Sequence, residues 1–191
     1  MVVKLDLAGF FPSVKAVRVD KFFTALGWDK PAREWLLRWT TWEGALPQGA
    51  PTSPALSNLA NRRMDARLDA LARTFGGAYT RYADDLTFSF ADGSAPVDSL
   101  VHLARRILTD EGYRVQERKR VRVLRACRRQ RIVGLVVNNP RPSLPRERRR
   151  WLRAVRHRLK IGKPATLKPP ELAGWEAFAR MVDTDKAPSA P

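Results

Sequence analysis

AYTRYADDLTFSF (residues 78–90) decides the fold. Leu86, Phe88 and Phe90 alternate with Thr87 and Ser89, the period of a strand with one apolar face, and the run before Ala83-Asp84-Asp85 reads as a second strand joined to it by that turn. The pattern predicts a β-hairpin whose turn carries two adjacent carboxylates. Like charges that close disfavour each other's ionised form, so a cationic neighbour is expected to offset them. An Asp-Asp turn can arise from local hydrogen bonding alone. A second strand tips the reading toward chemistry: MVVKLDL (1–7) places Asp6 at a strand end, between Leu5 and Leu7. Two strands side by side in one sheet bring Asp6 beside Asp84 and Asp85.

Between these strands, Val14, Val17, Phe22, Phe23, Leu26, Trp35, Leu36 and Trp39 recur at helical spacing, punctuated by Gly27 and Pro31. Four of the six Trp residues fall at positions 28 to 42 and read as a packed helix pair; base stacking by an exposed indole is the other use of such rings. LPQGAPTSPALSNL (46–59) is a loop entering a long helix, with Ser53 as cap and Pro54 in first position, running to Gly76-Gly77. A helix at about 97–111, strands at 113–116, 121–124 and 131–137, a Ser143-capped helix and a last helix at about 170–182 complete the chain. The order predicts an α+β fold: an antiparallel sheet with helices on one face (1–140), a small helical lobe (141–183) and a polar tail (184–191).

The charge is localised. The chain of 191 residues carries +17, and residues 114–160 account for +16 of it, with Glu117 and Glu147 as their only acids. Such a segment attracts a polyanion, nucleic acid or an anionic membrane surface. No run approaches the roughly 18 apolar residues of a spanning helix, so the expectation is a cytoplasmic protein with no membrane partner. With one cysteine (Cys127) and two histidines (His102, His157) there is no thiolate–imidazole metal site, and any metal must be a hard cation held by carboxylates. Three convergent carboxylates suit two Mg²⁺ ions and the in-line phosphoryl displacement such a pair assists, with Mn²⁺ as a substitute.

KLDLAGFFPSV (4–14), LPQGAPTSPALSNL (46–59), YTRYADDLTFS (79–89), EGYRVQERKR (111–120) and RQRIVGLVVN (129–138) resemble five successive motifs of a reverse transcriptase palm, with wording closest to retron and group II intron enzymes. The resemblance covers about residues 2–138 and implies a palm of ferredoxin/RRM-like build, with the final helices resembling the thumb. It implies RNA-directed DNA synthesis, with a dNTP as substrate, an RNA template and RNA/DNA duplex as partners and, for a retron, a noncoding RNA, an effector protein and a role in antiviral defence. Asp6, Asp84 and Asp85 resemble the catalytic carboxylates, and Leu7 joins them among the metal-binding positions. Phe11 resembles the steric gate that excludes a 2′-hydroxyl, with Phe10 beside it; one of the two is an ordinary core aromatic. Gln48, Gly49 and Tyr82 resemble nucleotide-contacting positions. Lys119 matches a lysine proposed to protonate the leaving pyrophosphate, or is a solvated charge. Gly134 and Leu135 belong to a stretch resembling the primer grip, and Arg149, Arg153 and Arg156 to a thumb helix that meets phosphate.

The chain also departs from the family pattern. Ile132-Val133-Gly134 stands where retron enzymes usually have Val-Thr-Gly, and only five residues precede Asp6, where relatives place a fingers subdomain. The expectation is therefore a polymerase chain lacking its fingers. The alternative is a palm–thumb remnant that binds nucleic acid without catalysis.

Overall fold

β1 (Val2–Asp6) alternates as expected: Val3 and Leu5 enter the core, while Lys4 and Asp6 take the opposite face. Gly9, in the left-handed region at φ 52°, turns the chain into a single helical turn, α1 (Phe10–Ser13). α2 (Ala16–Ala25) and α3 (Lys30–Thr40) follow, the latter capped by Asp29, whose side chain accepts the Ala32 N–H at 3.0 Å. The computed structural model describes residues 1–91, 93, 95–117, 121–125, 127, 129–138 and 141–184.

The predicted helix pair is packed, with the Trp28 ring 4.6 Å from that of Phe23, but its tryptophans stay largely outside the contact. Phe22, Phe23, Leu36 and Leu37 make the apolar contact, while Trp28, Trp35, Trp39 and Trp42 are exposed, Trp39 at 80%. The long helix predicted from residue 53 is two, α4 (Ser53–Ala60) and α5 (Arg62–Thr74). The break is at Asn61, whose side-chain amide donates to Ser57 O at 2.8 Å and so competes with the helical ladder. Ser53 is not a cap. It is the first helical residue, and its hydroxyl donates to Pro47 O at 2.6 Å, tying the 46–50 loop to the helix start.

β2 (Gly77–Tyr82) and β3 (Asp85–Phe90) form the predicted hairpin, with the turn at Ala83-Asp84 and Asp85 already in strand. β3 pairs antiparallel with β1, from Val2 opposite Ser89 to Asp6 opposite Asp85. After α6 (Val97–Asp110), β4 (Arg122–Leu124) completes a sheet of order β2-β3-β1-β4. The strand expected at 113–116 is observed as one bridge, Val115 opposite Leu7, in which the Ala8 N–H donates to Arg114 O and the Gln116 N–H to Asp6 O, both at 2.8 Å, after Gly112 (φ 79°) reverses the chain. Leu86, Phe88 and Phe90 join Val3 and Leu5 in a core with Met64, Leu68 and Ala72 of α5 and Leu100, Ala104 and Leu108 of α6. The expected α+β architecture, an antiparallel sheet with helices against one face, is present.

Two compact units result, Met1–Val123 and Leu124–Pro191. In the second, the strand expected at 131–137 is a small hairpin, β5 (Arg131–Ile132) and β6 (Leu135–Val136), turning on Val133 and Gly134 at φ 46° and 82°. α7 (Arg146–Lys160) starts after Pro145 rather than at a Ser143 cap, because Ser143 is occupied in a backbone bridge with Val136. α7 packs on α8 (Pro169–Thr184) through Leu152, Val155 and Leu172, with Trp151 and Trp175 edge to face. The polar tail from residue 185 onward lies outside the described residues.

Candidate active site

The register of β1 against β3 does most of the construction. Residues directly opposite in an antiparallel pair point to the same face with Cβ atoms about 5 Å apart, so Asp6 and Asp85 face each other, with Tyr82 opposite Asp85 on its other flank. Two carboxylates that close repel unless something cationic intervenes. Lys4, two residues before Asp6 and hence on the same face, places its Nζ 2.5 Å from Asp85 Oδ2. Arg122 of β4 lies 3.6 Å from Asp6 Oδ2. These are the offsetting cations that the sequence argument required without naming.

Asp85 Oδ1 is buried and makes no hydrogen bond. A buried carboxylate oxygen without a donor costs about 1–3 kcal/mol or more, and a cation beside it would remove that cost. The donor set is all oxygen, as a hard divalent ion prefers. Asp84 stands in the turn, half-buried, and its carbonyl accepts the Leu7 N–H at 2.9 Å, which locks the end of β1 to the turn. No group of three carboxylate, imidazole or thiolate side chains closes to metal-binding distance among the described residues.

The turn is held from the helix side. Ala83 has φ 50°, a left-handed conformation costing a non-glycine residue about 1–2 kcal/mol. Arg81, almost fully buried, donates from Nη1 to Ala83 O at 3.3 Å and pairs in a fork with Asp65 of α5 at 2.8 and 2.6 Å. Burial pulls the Arg81 guanidinium down, but Asp65 more than offsets this and holds it above its ordinary value. Burial pushes the Tyr79 phenol far up, with the Asp65 charge adding to it.

Phe10 is the core aromatic of its pair, 5.7 Å from the Tyr113 ring, while Phe11 is half-buried at 5.4 Å from Phe10. Gln48 and Gly49 are exposed on the loop tied down by Ser53, with Gly49 at φ 92°. Behind them, buried Asn61 accepts from Tyr113 Oη at 2.6 Å and Arg18 Nη1 at 2.9 Å, and Arg18 also donates to Glu111 O. Lys119 lies outside the described residues.

In the second unit, Arg149, Arg153 and Arg156 line a cleft of about 610 Å³ with Arg129 and Arg146, and no acid lines it among the described residues. Arg149 donates to Leu144 O at 3.0 Å and Arg156 to Glu176 at 2.7 Å. Gly134 makes the β5–β6 turn and Leu135 packs on the helical core.

A family model described as reverse transcriptase (RNA-dependent DNA polymerase) matches residues 1–156. The chain belongs to the reverse transcriptase family. Among curated reverse transcriptases it is 38% identical to the retron Mx162 enzyme of Myxococcus xanthus over 97% of this chain and 45% of that protein. It is also 38% identical to the retron Mx65 enzyme of the same organism, over 98% of this chain and 47% of that one. The retron Ec86 reverse transcriptase of Escherichia coli is 33% identical over 96% of this chain and 56% of the relative. The chain thus spans about half the length of the curated relatives it matches. Reverse transcriptases use divalent metal ions, and the orphaned oxygen of Asp85, a residue paired in register with Asp6, is compatible with that use.

Sequence reasoning missed Lys4, Arg122, Arg81, Asp65 and the Asn61–Tyr113–Arg18 cluster. Only Lys4 left a local signal, since its spacing of two from Asp6 on a predicted strand puts both on one face.

Proposed function

We propose that this chain carries the catalytic face of an RNA-directed DNA polymerase that extends a primer 3′-hydroxyl, or an RNA 2′-hydroxyl as in a retron, with deoxynucleotides. The observation that carries the reading is the in-register opposition of Asp6 and Asp85 beside the Asp84 turn, in a chain of the reverse transcriptase family. Asp6, Asp84 and Asp85 are the residues that would hold two Mg²⁺ ions; Leu7, whose side chain has no donor, can offer only its backbone carbonyl. Bound there, the metal supplies charge neutralisation for the in-line displacement at the nucleotide phosphate. Half-buried Phe11 limits space beneath the sugar, exposed Gln48 and Gly49 meet the incoming nucleotide, and Tyr82, paired beside Asp85, flanks it. On resemblance alone, Lys119 is assigned the proton for the departing pyrophosphate. The arginine cleft of the second unit binds the phosphate backbone of an RNA/DNA duplex.

The test is primer extension on an RNA template by the protein as produced from its own locus, with the RNA that accompanies it. Mg²⁺-dependent deoxynucleotide incorporation that falls to background in Asp84→Asn is expected; equal activity in the variant refutes the assignment. A second reading, a nucleic-acid-binding module without catalysis, is favoured by the lack of a three-group metal cluster among the described residues. It requires that the wild-type protein bind nucleic acid yet extend nothing, and that Asp84→Asn leave affinity unchanged.

A further inference from the structure

One guanidinium touches three parts of the candidate site. Arg81 lies on β2 with its side chain only 4% exposed. Its Nε and Nη2 fork onto the two oxygens of Asp65 at 2.8 and 2.6 Å, which fixes it to α5. Its Nη1 reaches the carbonyl of Ala83 in the acid-bearing turn. Its Cζ lies 5.2 Å from the centre of the Phe10 ring, and that ring contacts Phe11.

We infer that Arg81 is a positioning residue that holds the Ala83–Asp84 turn and the Phe10–Phe11 pair in fixed relation to each other, with Asp65 as its anchor. The inference rests on the polymerase reading for its functional consequence and on geometry alone for its structural one. A planar guanidinium suits the task because it donates along several fixed directions in one plane while its face stays free for an aromatic ring; an ammonium, a compact point charge, cannot do both. A buried ion pair is weak evidence for stability, because desolvation of both charges offsets most of their attraction. What this one supplies is geometry. Ala83 sits in a conformation its own side chain does nothing to secure, and the Phe10 ring lies against the same cation that holds the turn. Displacement of Arg81 therefore displaces the Asp84 carboxylate and the ring under the nucleotide sugar together.

Three variants test this: Arg81→Lys, Asp65→Asn, which keeps the arginine but removes its anchoring charge, and Leu68→Ala, a buried truncation on the same helix whose apolar side chain makes no polar bond to Arg81 or to the turn. Leu68→Ala sets the scale for general loosening. Hydrogen exchange is read first, at the Leu7 amide, bonded to Asp84 O, and at the Val14 amide, shared between Phe10 O and Phe11 O. In Arg81→Lys both are expected to exchange at least about tenfold faster than in Leu68→Ala, while α6 amides match that control. Asp65→Asn moves the same amides by less, and it decides the matter if Arg81→Lys fails to fold. Primer extension is read second: nucleotide KM rises and deoxy-over-ribo discrimination falls in the Arg81 and Asp65 variants but not in Leu68→Ala. Exchange no faster than in the control overturns the inference whatever the activity. Faster exchange with unchanged KM and discrimination in an active enzyme overturns it as well. Wild-type protein that extends nothing refutes the polymerase reading and leaves the exchange result to judge Arg81.

Discussion

Lys4 lies in a strand whose two faces have opposite needs. Val3 and Leu5 require an apolar neighbourhood, and the residues between them must live beside two carboxylates. An ammonium 2.5 Å from Asp85, with Arg122 near Asp6, offsets the repulsion between two carboxylates that face one another. Removing one partner of a buried ion pair leaves the other uncompensated, which costs about 3–5 kcal/mol. Lys4→Met, similar in volume and uncharged, is expected to lose about that much in urea denaturation, and a divalent cation is expected to recover part of the loss. Unchanged stability would show that Asp85 is neutralised by some other group. The same residue shows where reading a sequence stops. Asp6 was legible because a lone acid between leucines at a strand end is anomalous, whereas a lysine two places earlier looks like any solvated charge until the register puts Asp85 beside it.

The break between α4 and α5 works similarly at the level of elements. Apolar positions from Leu56 to Phe75 keep a helical period throughout, so the pattern runs straight across Asn61. What divides the helix is a buried amide with partners at Ser57, Arg18 and Tyr113, two of them more than 40 residues away. Asn61→Ala favours helix locally but strands the Tyr113 hydroxyl and one Arg18 N–H. We expect a net loss of about 2–4 kcal/mol in chemical denaturation, because two donors left without acceptors outweigh the gain in propensity. A neutral or stabilising result would mean that water replaces the amide. Elements specified by local signals, such as the 78–90 hairpin and α6, were legible in outline. Those settled by distant partners were not: the 113–116 strand, shortened to a bridge on Leu7, and the continuous helix, lost to Asn61.

For the whole molecule, charge is divided unevenly. Of the +17, residues 114–160 carry +16, and the arginine cleft lies within the second unit. Binding of a phosphate backbone there releases counterions, so log affinity should fall linearly with log salt concentration at about 0.7–0.9 per phosphate neutralised. Replacing both Arg149 and Arg153 with Gln should flatten that slope by about 1–2 while leaving Asp84-dependent chemistry, at saturating nucleic acid, intact. A salt dependence identical to wild type would place the polyanion elsewhere. That segment's charge was plain from composition, and helical periodicity alone puts Arg146, Arg149, Arg153 and Arg156 on one face of α7; the cleft itself was not legible, because Arg129, Val136, Ser143 and Ala179 complete it from outside that helix. The tryptophans show the same unevenness in their optical behaviour. Trp35, Trp39 and Trp42 of the first unit already face water, so their emission is close to that of an unfolded chain, whereas Trp28 rests on the Phe23 ring and Trp151 and Trp175 are half-buried against each other. A fluorescence melt of this protein would report the second unit and the surroundings of Trp28, and loss of the sheet that carries the carboxylates would show fully only with backbone circular dichroism followed alongside.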